Sequence, residues 1–361
     1  GDRVTLSIRS ASPADIPALR DMLVETWHAT YDATLGVGKV DEIAATWHSI
    51  DKLRAELDEA EAHPAVNALL VAAEAGRLVG SASAHRQADG PLELARLYIA
   101  PGRQGRGIGK ALLAAAVARF PGARTARLEV EPRNAKAIAF YRQFGFDTVA
   151  TGSACGGDTR AALEHLVMEA QLPLFLLRPA RDADAQDLFG LLSLCFAEYP
   201  GCYVDPHDDL PDLVKPGHWK ERRGKDGQRL GGEFWVLEDA RGRVCACVAV
   251  DYPETGEFSS EVASGSREEN STNSKTAELH RLYVRPDCRR RGIAARLVAH
   301  VEAAAREQSA SRIVLWSDTR FSDAHRLYEK CGYLRHTSEP REVGDISRTW
   351  EYGFVKSLIG K

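Results

Sequence analysis

The chain repeats itself once, and this restricts its fold more than any other feature. Residues 94–113 (LARLYIAPGRQGRGIGKALL) resemble residues 279–298 (LHRLYVRPDCRRRGIAARLV), which sets Leu97, Tyr98 and Gly107 against Leu282, Tyr283 and Gly292. Residues 139–146 (AFYRQFGF) resemble 326–333 (RLYEKCGY), with Tyr141 against Tyr328. Near the start, 8–19 (IRSASPADIPAL) resemble 177–188 (LRPARDADAQDL). The order is the same in both halves. Two long copies mean a duplicated domain, not a solenoid of short repeats, and 361 residues suit two domains. We expect them at 1–172 and 173–361, because Pro173 separates two apolar runs in QLPLFLLRP. The second copy must hold extra residues before its glycine turn. The segment 253–276, rich in Ser, Glu, Gly and Asn, is expected to be that insertion, a long mobile hairpin loop.

Each half reads as mixed α/β. After an opening strand comes a helical stretch, Pro13 to about Val24 and Asp182 to about Phe196, preceded by Ser and Asp residues suited to N-caps. Residues 40–62 extend the helical content of the first half. Apolar runs broken by Gly-containing turns then predict antiparallel hairpins: ALLVAAEAG with RLVGSASAHR, and EFWVLEDAR with RVCACVAVDY. A strand ending at Ile99 or Val284 leads into a glycine turn and a helix. Another strand (126–131 or 312–317), a second helix and a final hairpin close each copy.

Forty-seven Lys and Arg against 51 Asp and Glu give a net charge of −4, with no basic stripe, which disfavours nucleic acid and an acidic membrane surface as partners. No apolar run approaches the ~18–20 residues of a membrane span. The opening GDRVTLSIRS has no apolar segment that would mark secretion, and Gly1 in place of Met is expected to come from a trimmed tag. The seven cysteines are odd in number and include no C-x-x-C, so a reducing, cytoplasmic compartment is expected. Cys245 and Cys247, two apart, are expected on one strand face as core thiols. Cys195, Cys202 and His207 match no zinc spacing, so no metal site is expected.

Gln104-Gly105-Arg106-Gly107-Ile108-Gly109 joins a strand to a helix. Successive backbone N–H groups in such a turn point into one concavity, aided by the positive end of the helix, and glycine permits the tight path. Arg103 and Arg106, or Arg289 to Arg291, add charge beside it. The turn is not a Walker A loop, because Gly109-Lys110 is followed by Ala111 and Gln104 stands where the first glycine belongs. It is not a dinucleotide fingerprint either, because Leu112 stands where G-x-G-x-x-G needs its last glycine. The two copies share [QR]-x-x-G-x-[GA].

With a strand before it, a helix after it, and [FL]-Y-x-x-x-G-[FY] about 35 residues on, twice over, the chain resembles a tandem member of the GNAT superfamily of N-acetyltransferases. The resemblance spans nearly the whole chain. It implies two GNAT folds, each a mixed central β-sheet flanked by helices, with acetyl-CoA as cosubstrate. By the same resemblance Gln104, Gly105, Arg106, Gly107, Ile108, Gly109 and Lys110 would hold its pyrophosphate in the first copy. Arg289, Arg290, Arg291, Gly292, Ile293 and Ala294 would do so in the second, and Ile99 and Val284, at the ends of the strands that lead there, are also expected to bind the cosubstrate.

Acetyl transfer to an amine raises two proton problems. An ammonium with pKa ~10.4 is neutral only about one part in a thousand near pH 7, a cost of roughly 4 kcal/mol. Protonating a thiolate of pKa ~8.5 gains at most about 2 kcal/mol, so a base for the amine should matter more. The resemblance gives that role to Glu93 and Glu278, each eleven residues before the turn, with Glu129 and Glu131 as rivals. The second copy has Trp316 and Asp318 at the rivals' places. Tyr141 and Tyr328 match the tyrosine near the sulfur of the cosubstrate, where a protonated phenol donates to the thiolate; the plain alternative is a core tyrosine. Asn134 matches a residue that meets the pantetheine arm, but Phe321 stands there in the second copy, so the first copy is the safer candidate for catalysis.

Trp27, Tyr31 and Trp47, or Tyr199, Tyr203, His207 and Trp219, could line a pocket for a cationic acceptor, or simply pack helices. The expected activity is acetyl transfer to a small amine or peptide amino group by direct attack in a ternary complex. A second reading makes one half catalytic and the other a degenerate module, as in mycothiol synthase-like tandem enzymes. A third is an acyl-CoA-binding sensor without catalysis.

Overall fold

The computed structural model describes residues 5–152, 164–224, 227–253 and 275–359. The expected insertion at 253–276 therefore lies almost wholly outside the described residues. The chain divides into two compact units, Gly1–Leu174 and Phe175–Lys361.

In unit 1, β1 (Leu6–Ser10) precedes α1 (Ile16–Leu35), α2 (Val37–Trp47) and α3 (Ile50–Ala62). The strands β2 (Asn67–Glu74), β3 (Arg77–His85) and β4 (Leu92–Ile99) follow, then α4 (Ile108–Ala118), β5 (Thr125–Val130), α5 (Ala135–Gln143), β6 (Asp147–Gly152) and β7 (His165–Gln171). They form one sheet in the order β1-β2-β3-β4-β5-β7-β6. Its one parallel pairing is β4 with β5. Leu69, Val71 and Ala73 of β2 pack on Leu19 and Leu23 of α1 and Leu53 and Leu57 of α3. The alternate residues Leu70 and Ala72 are equally buried and turn to the other face, as the two-residue period of a strand requires.

α1 extends to Leu35, well past the expected Val24, because Trp27 and Tyr31 continue its buried stripe until Gly36, at φ +82°, ends it. The helical stretch 40–62 is broken at His48, and Ser49 starts α3 by accepting a hydrogen bond from the Lys52 amide at 3.2 Å.

Unit 2 repeats the plan with β8 (Leu176–Pro179), α6 (Ala185–Phe196), α7 (Asp209–Val214), β9 (Glu233–Glu238), β10 (Val244–Asp251) and β11 (Lys275–Val284). It continues with α8 (Ile293–Glu307), β12 (Ala310–Asp318), α9 (Ser322–Lys330), β13 (Leu334–Arg335), β14 (Arg341–Glu342) and β15 (Trp350–Ser357). The sheet runs β8-β9-β10-β11-β12-β15-β13, with β14 beside β15, and β11–β12 is its parallel pair. Both units are therefore the expected α/β fold.

Cys245 and Cys247 do not share a face. The register of β10 against β9 slips between Val244 and Ala246, so Cys245 packs with α8 and Cys247 with α6. One extra residue in a bulge turns the strand over.

Candidate active site

The site is built where the parallel strands part. β4 pairs with β5 only at Leu92–Leu94, although it runs on to Ile99. β11 pairs with β12 as far as Leu279 and runs on to Val284. In each unit a bulge sits where the pairing stops: an extra residue between Leu94 and Arg96, and another between His280 and Tyr283. Arg281 takes the second bulge at φ +54°. A bulge bends its strand, and in unit 2 the strand end and the glycine turn line one cavity.

The turn has the same backbone in both copies. Gly105 and Gly107 lie at φ +76° and +81°, Arg290 and Gly292 at +61° and +71°. Left-handed residues at every second position turn backbone N–H groups into a common concavity, at the N-terminus of α4 or α8. A Cβ built at Gly105, Gly107 or Gly292 would meet nothing within 4 Å. These glycines supply conformation, and the space beside them is open. Gly109 differs: its Cβ would come within 3.2 Å of the Phe140 ring. The second copy has Ala294 at that position, and Leu327 at the position of Phe140. Ile108 and Ile293 are buried and anchor the helix starts. Lys110 is half-buried on α4.

Gln104 and Arg289 brace the turn alike. Gln104 Nε2 donates to the Ile99 carbonyl at 3.4 Å, and Arg289 Nε to the Val284 carbonyl at 3.0 Å. In unit 1, Arg103 and Arg106 are tied to the buried carboxylate of Glu74, at 2.8 and 3.3 Å. In unit 2, Arg289 is paired with Glu198, while Arg290 and Arg291 are exposed and without an ion-pair partner among the described residues.

A cavity of about 890 Å³ lies in unit 2. It brings together residues the sequence picked out separately: Glu278, Val284, Arg289, Arg290, Gly292, Ile293, Ala294 and Tyr328. Tyr199, Tyr203 and Trp219 line it too, whereas His207 is exposed and does not. Burial holds the Tyr328 phenol well above the usual range, so it stays protonated and can donate.

The two glutamates stand in different surroundings. Glu93 faces Arg127 across the ladder, with an ion-pair distance of 3.7 Å, and Arg127 also binds Glu169. Glu278 faces Val314 on one side and Asp251 on the other. His280 Nε2 lies 3.8 Å from Glu278 Oε1 and 3.3 Å from Asp251 Oδ2. Asp251 is buried and accepts from Arg222 at 2.6 Å. Of the rival bases in unit 1, Glu131 is bound to Arg133 and Glu129 lies 3.6 Å from His165. In the second copy Arg341 covers the Trp316 ring, and Asp318 binds Arg320.

Tyr141 is buried beside Phe140 and Phe146. Burial, and the nearness of Tyr98 and Tyr31, keep its phenol well above the ordinary value. Asn134 caps α5 by accepting from the Ala137 amide at 3.1 Å, and its Nδ2 donates to the Tyr31 hydroxyl at 3.4 Å. Phe321 holds the corresponding start of α9 by stacking on Tyr199, with ring centroids 4.7 Å apart. Trp27 and Tyr31 are buried against each other and against Trp47, so in unit 1 those aromatics pack helices.

His280, Asp251 and Arg222 were missed by sequence reasoning. Glu-x-His in ELHRLY was a visible signal for His280. Asp251 had none, since its place opposite Glu278 depends on strand register.

Among the described residues no group of three or more His, Cys, Asp or Glu side chains is placed to hold a metal ion, and no helix is long and apolar enough to cross a membrane.

A family model described as Acetyltransferase (GNAT) family matches residues 24–146 and again 192–333. Similar solved structures include PaiA N-acetyltransferase from Thermoplasma acidophilum in complex with coenzyme A, at 25% identity over 46% of this chain and 99% of that one, TM-score 0.40. Ribosomal-protein-alanine N-acetyltransferase from Brucella melitensis is similar at 28% identity over 46% of this chain and 99% of its own, TM-score 0.37. YncA from Salmonella typhimurium, solved with acetyl-CoA, is similar at 23% identity over 46% of this chain and 94% of its own, TM-score 0.36. No curated protein matches the chain.

Proposed function

Since this chain belongs to the GNAT acetyltransferase family, matched once in each half, we propose that it transfers an acetyl group from acetyl-CoA to a primary amine, and that unit 2 carries the chemistry. The observation behind this choice is the single cavity that joins the glycine turn, Glu278 and Tyr328. It favours unit 2, whereas Asn134 favours the first copy on sequence grounds. In unit 1 a cationic acceptor would have to compete with Arg127 for Glu93.

The cradle suits a diphosphate. Backbone N–H groups converge there, Gly292 opens onto free space, and Arg290 and Arg291 are exposed cations without an ion-pair partner among the described residues. Acetyl-CoA would place its diphosphate at this turn and its thioester in the cavity. Glu278 takes a proton from the acceptor ammonium. The freed amine attacks the thioester carbonyl carbon, the C–S bond breaks, and the Tyr328 hydroxyl donates to the departing thiolate. Cys195 and Cys202 line the cavity, but burial raises both thiols and disfavours a thiolate nucleophile, so the attack we propose is direct, in a ternary complex. The acceptor is a small amine or a peptide amino group.

Unit 1 keeps the cradle backbone but ties Arg103 and Arg106 to Glu74, which favours the reading in which it is a binding or structural module. Free-thiol release from acetyl-CoA over a panel of amines and peptides tests the activity. Calorimetric titration of acetyl-CoA into Gly107→Val and Gly292→Val tests the division. Loss of turnover only in Gly292→Val supports it. Saturable binding with no thiol release over the whole panel would instead indicate a non-catalytic sensor.

A further inference from the structure

Resting on the assignment of Glu278 as base, we infer that His280 and Asp251 form the proton exit of unit 2, with His280 positioned to relieve Glu278 of the proton it takes from the acceptor.

Stoichiometry sets the need. An ammonium and a thioester give an amide, a thiol and one proton. Of the two protons the nitrogen loses, one ends on the thiol sulfur, resupplied through Tyr328. The other stays on Glu278, and a protonated carboxyl cannot accept from the next ammonium. The neighbour that can take it is His280, whose Nε2 is 3.8 Å from Glu278 Oε1. The transfer breaks the Glu278 O–H bond and forms an Nε2–H bond. The resulting imidazolium faces Asp251 Oδ2 at 3.3 Å; one of its N–H bonds then breaks to a water in the cavity that His280 lines, which returns the ring to neutrality.

The groups around the ring decide its state. Asp251 of β10, Arg222, Arg281 of β11, Asp212 of α7 and Glu278 all face it, and the Trp219 ring lies 6.2 Å away. Arg222 and Arg281 are each paired with Asp212, and Arg222 also with Asp251. Burial lowers His280 to about 4, against the pull of Asp251. Burial therefore keeps the ring neutral at pH 7, with a ring nitrogen able to accept a proton. Unit 1 has Ala95 at the place of His280 and His85 at the place of Asp251, opposite Glu93, so the arrangement belongs to unit 2 alone.

The test is histidine-selective NMR titration of the full chain, with His280→Gln identifying the resonance. Glu278→Gln and Asp251→Asn are each expected to lower the His280 midpoint by at least half a pH unit. An unchanged midpoint in Glu278→Gln overturns the inference, and so does a midpoint insensitive to Asp251→Asn. This readout needs no turnover, so it stands apart from the acetyl-CoA titration that decides the functional reading. On the amine of the panel that gives thiol release, His280→Gln is expected to lower kcat at least tenfold with KM for acetyl-CoA unchanged. Added imidazole should restore kcat in His280→Ala but not in Glu278→Ala. Loss of acetyl-CoA affinity in His280→Gln, or equal rescue of both alanine variants, would mark a structural role and overturn the proposal.

Discussion

Arg290 holds the left-handed backbone conformation, φ +61°, that Gly105 holds at φ +76° in the other copy of the turn. A side chain in that region costs about 1–2 kcal/mol, whereas glycine loses about 0.5–1 kcal/mol of chain entropy on folding. Arg290→Gly is therefore expected to stabilise unit 2 slightly, by about 0.5 kcal/mol, and Gly105→Arg to destabilise unit 1 by a similar amount. Denaturant midpoints measure both. A loss of a full kcal/mol in Arg290→Gly would mean that the arginine side chain holds the turn through a contact.

Glu278→Gln is expected to reduce thiol release about 100-fold, the ordinary contribution of a positioned base. Glu93→Gln, which removes a partner of Arg127, should change it less than twofold. Equal losses would return the chemistry to both units.

At the start of the second helix the two units use different forces. Asn134→Ala should cost about 1 kcal/mol, the worth of its cap. Phe321→Ala removes one ring packed on both Tyr199 and Phe196 and should cost about 1–3 kcal/mol. Thermal melts of the two variants decide this; a smaller loss in Phe321→Ala would show that the stack contributes little.

Arg9–Asp15 and Arg178–Asp184 are the same ion pair in the two copies, but Arg178 also binds Glu238, and all three unit 2 side chains are largely buried. Arg178→Ala strands two buried carboxylates and should cost about 3–5 kcal/mol. Arg9, with a side chain 47% exposed, should cost no more than about 1 kcal/mol. Burial alone would raise Asp184, but its hydrogen bonds from Arg178 and the Arg181 amide bring it below the ordinary value. This pair's contribution is thus complete above about pH 4 and lost as the pH falls below it, which acid titration of wild type and Arg178→Ala should show.

His48 is buried, neither ring nitrogen has a hydrogen-bond partner among the described residues, and burial, with Arg96 and Lys52 adding, pushes it down to about 3. Below the ordinary ~6.5 the unfolded chain binds a proton that the folded chain refuses. Stability should therefore fall as the pH drops from about 6.5 towards 3, by about 2 kcal/mol at pH 5. His48→Leu should lessen that slope by one proton; an unchanged slope would mean the folded chain protonates His48 readily.

The duplication, the cradles and most of the elements were legible in the residues themselves. They rest on local periodicity and on glycines whose backbone needs do not depend on distant neighbours. Gly107 and Gly292 start their helices in the predicted turns for that reason. Other features depended on strand register, which no single segment encodes. A one-residue slip put Cys245 and Cys247 on opposite faces. Pairing across the sheet gave Glu93 an arginine and Glu278 a valine. The same pairing carried Asp251 to His280 from a different strand. Side-chain chemistry could name the glutamates as bases, but folding chose their neighbours, because a carboxylate's work is set by charges a few ångströms away and those came from remote parts of the chain.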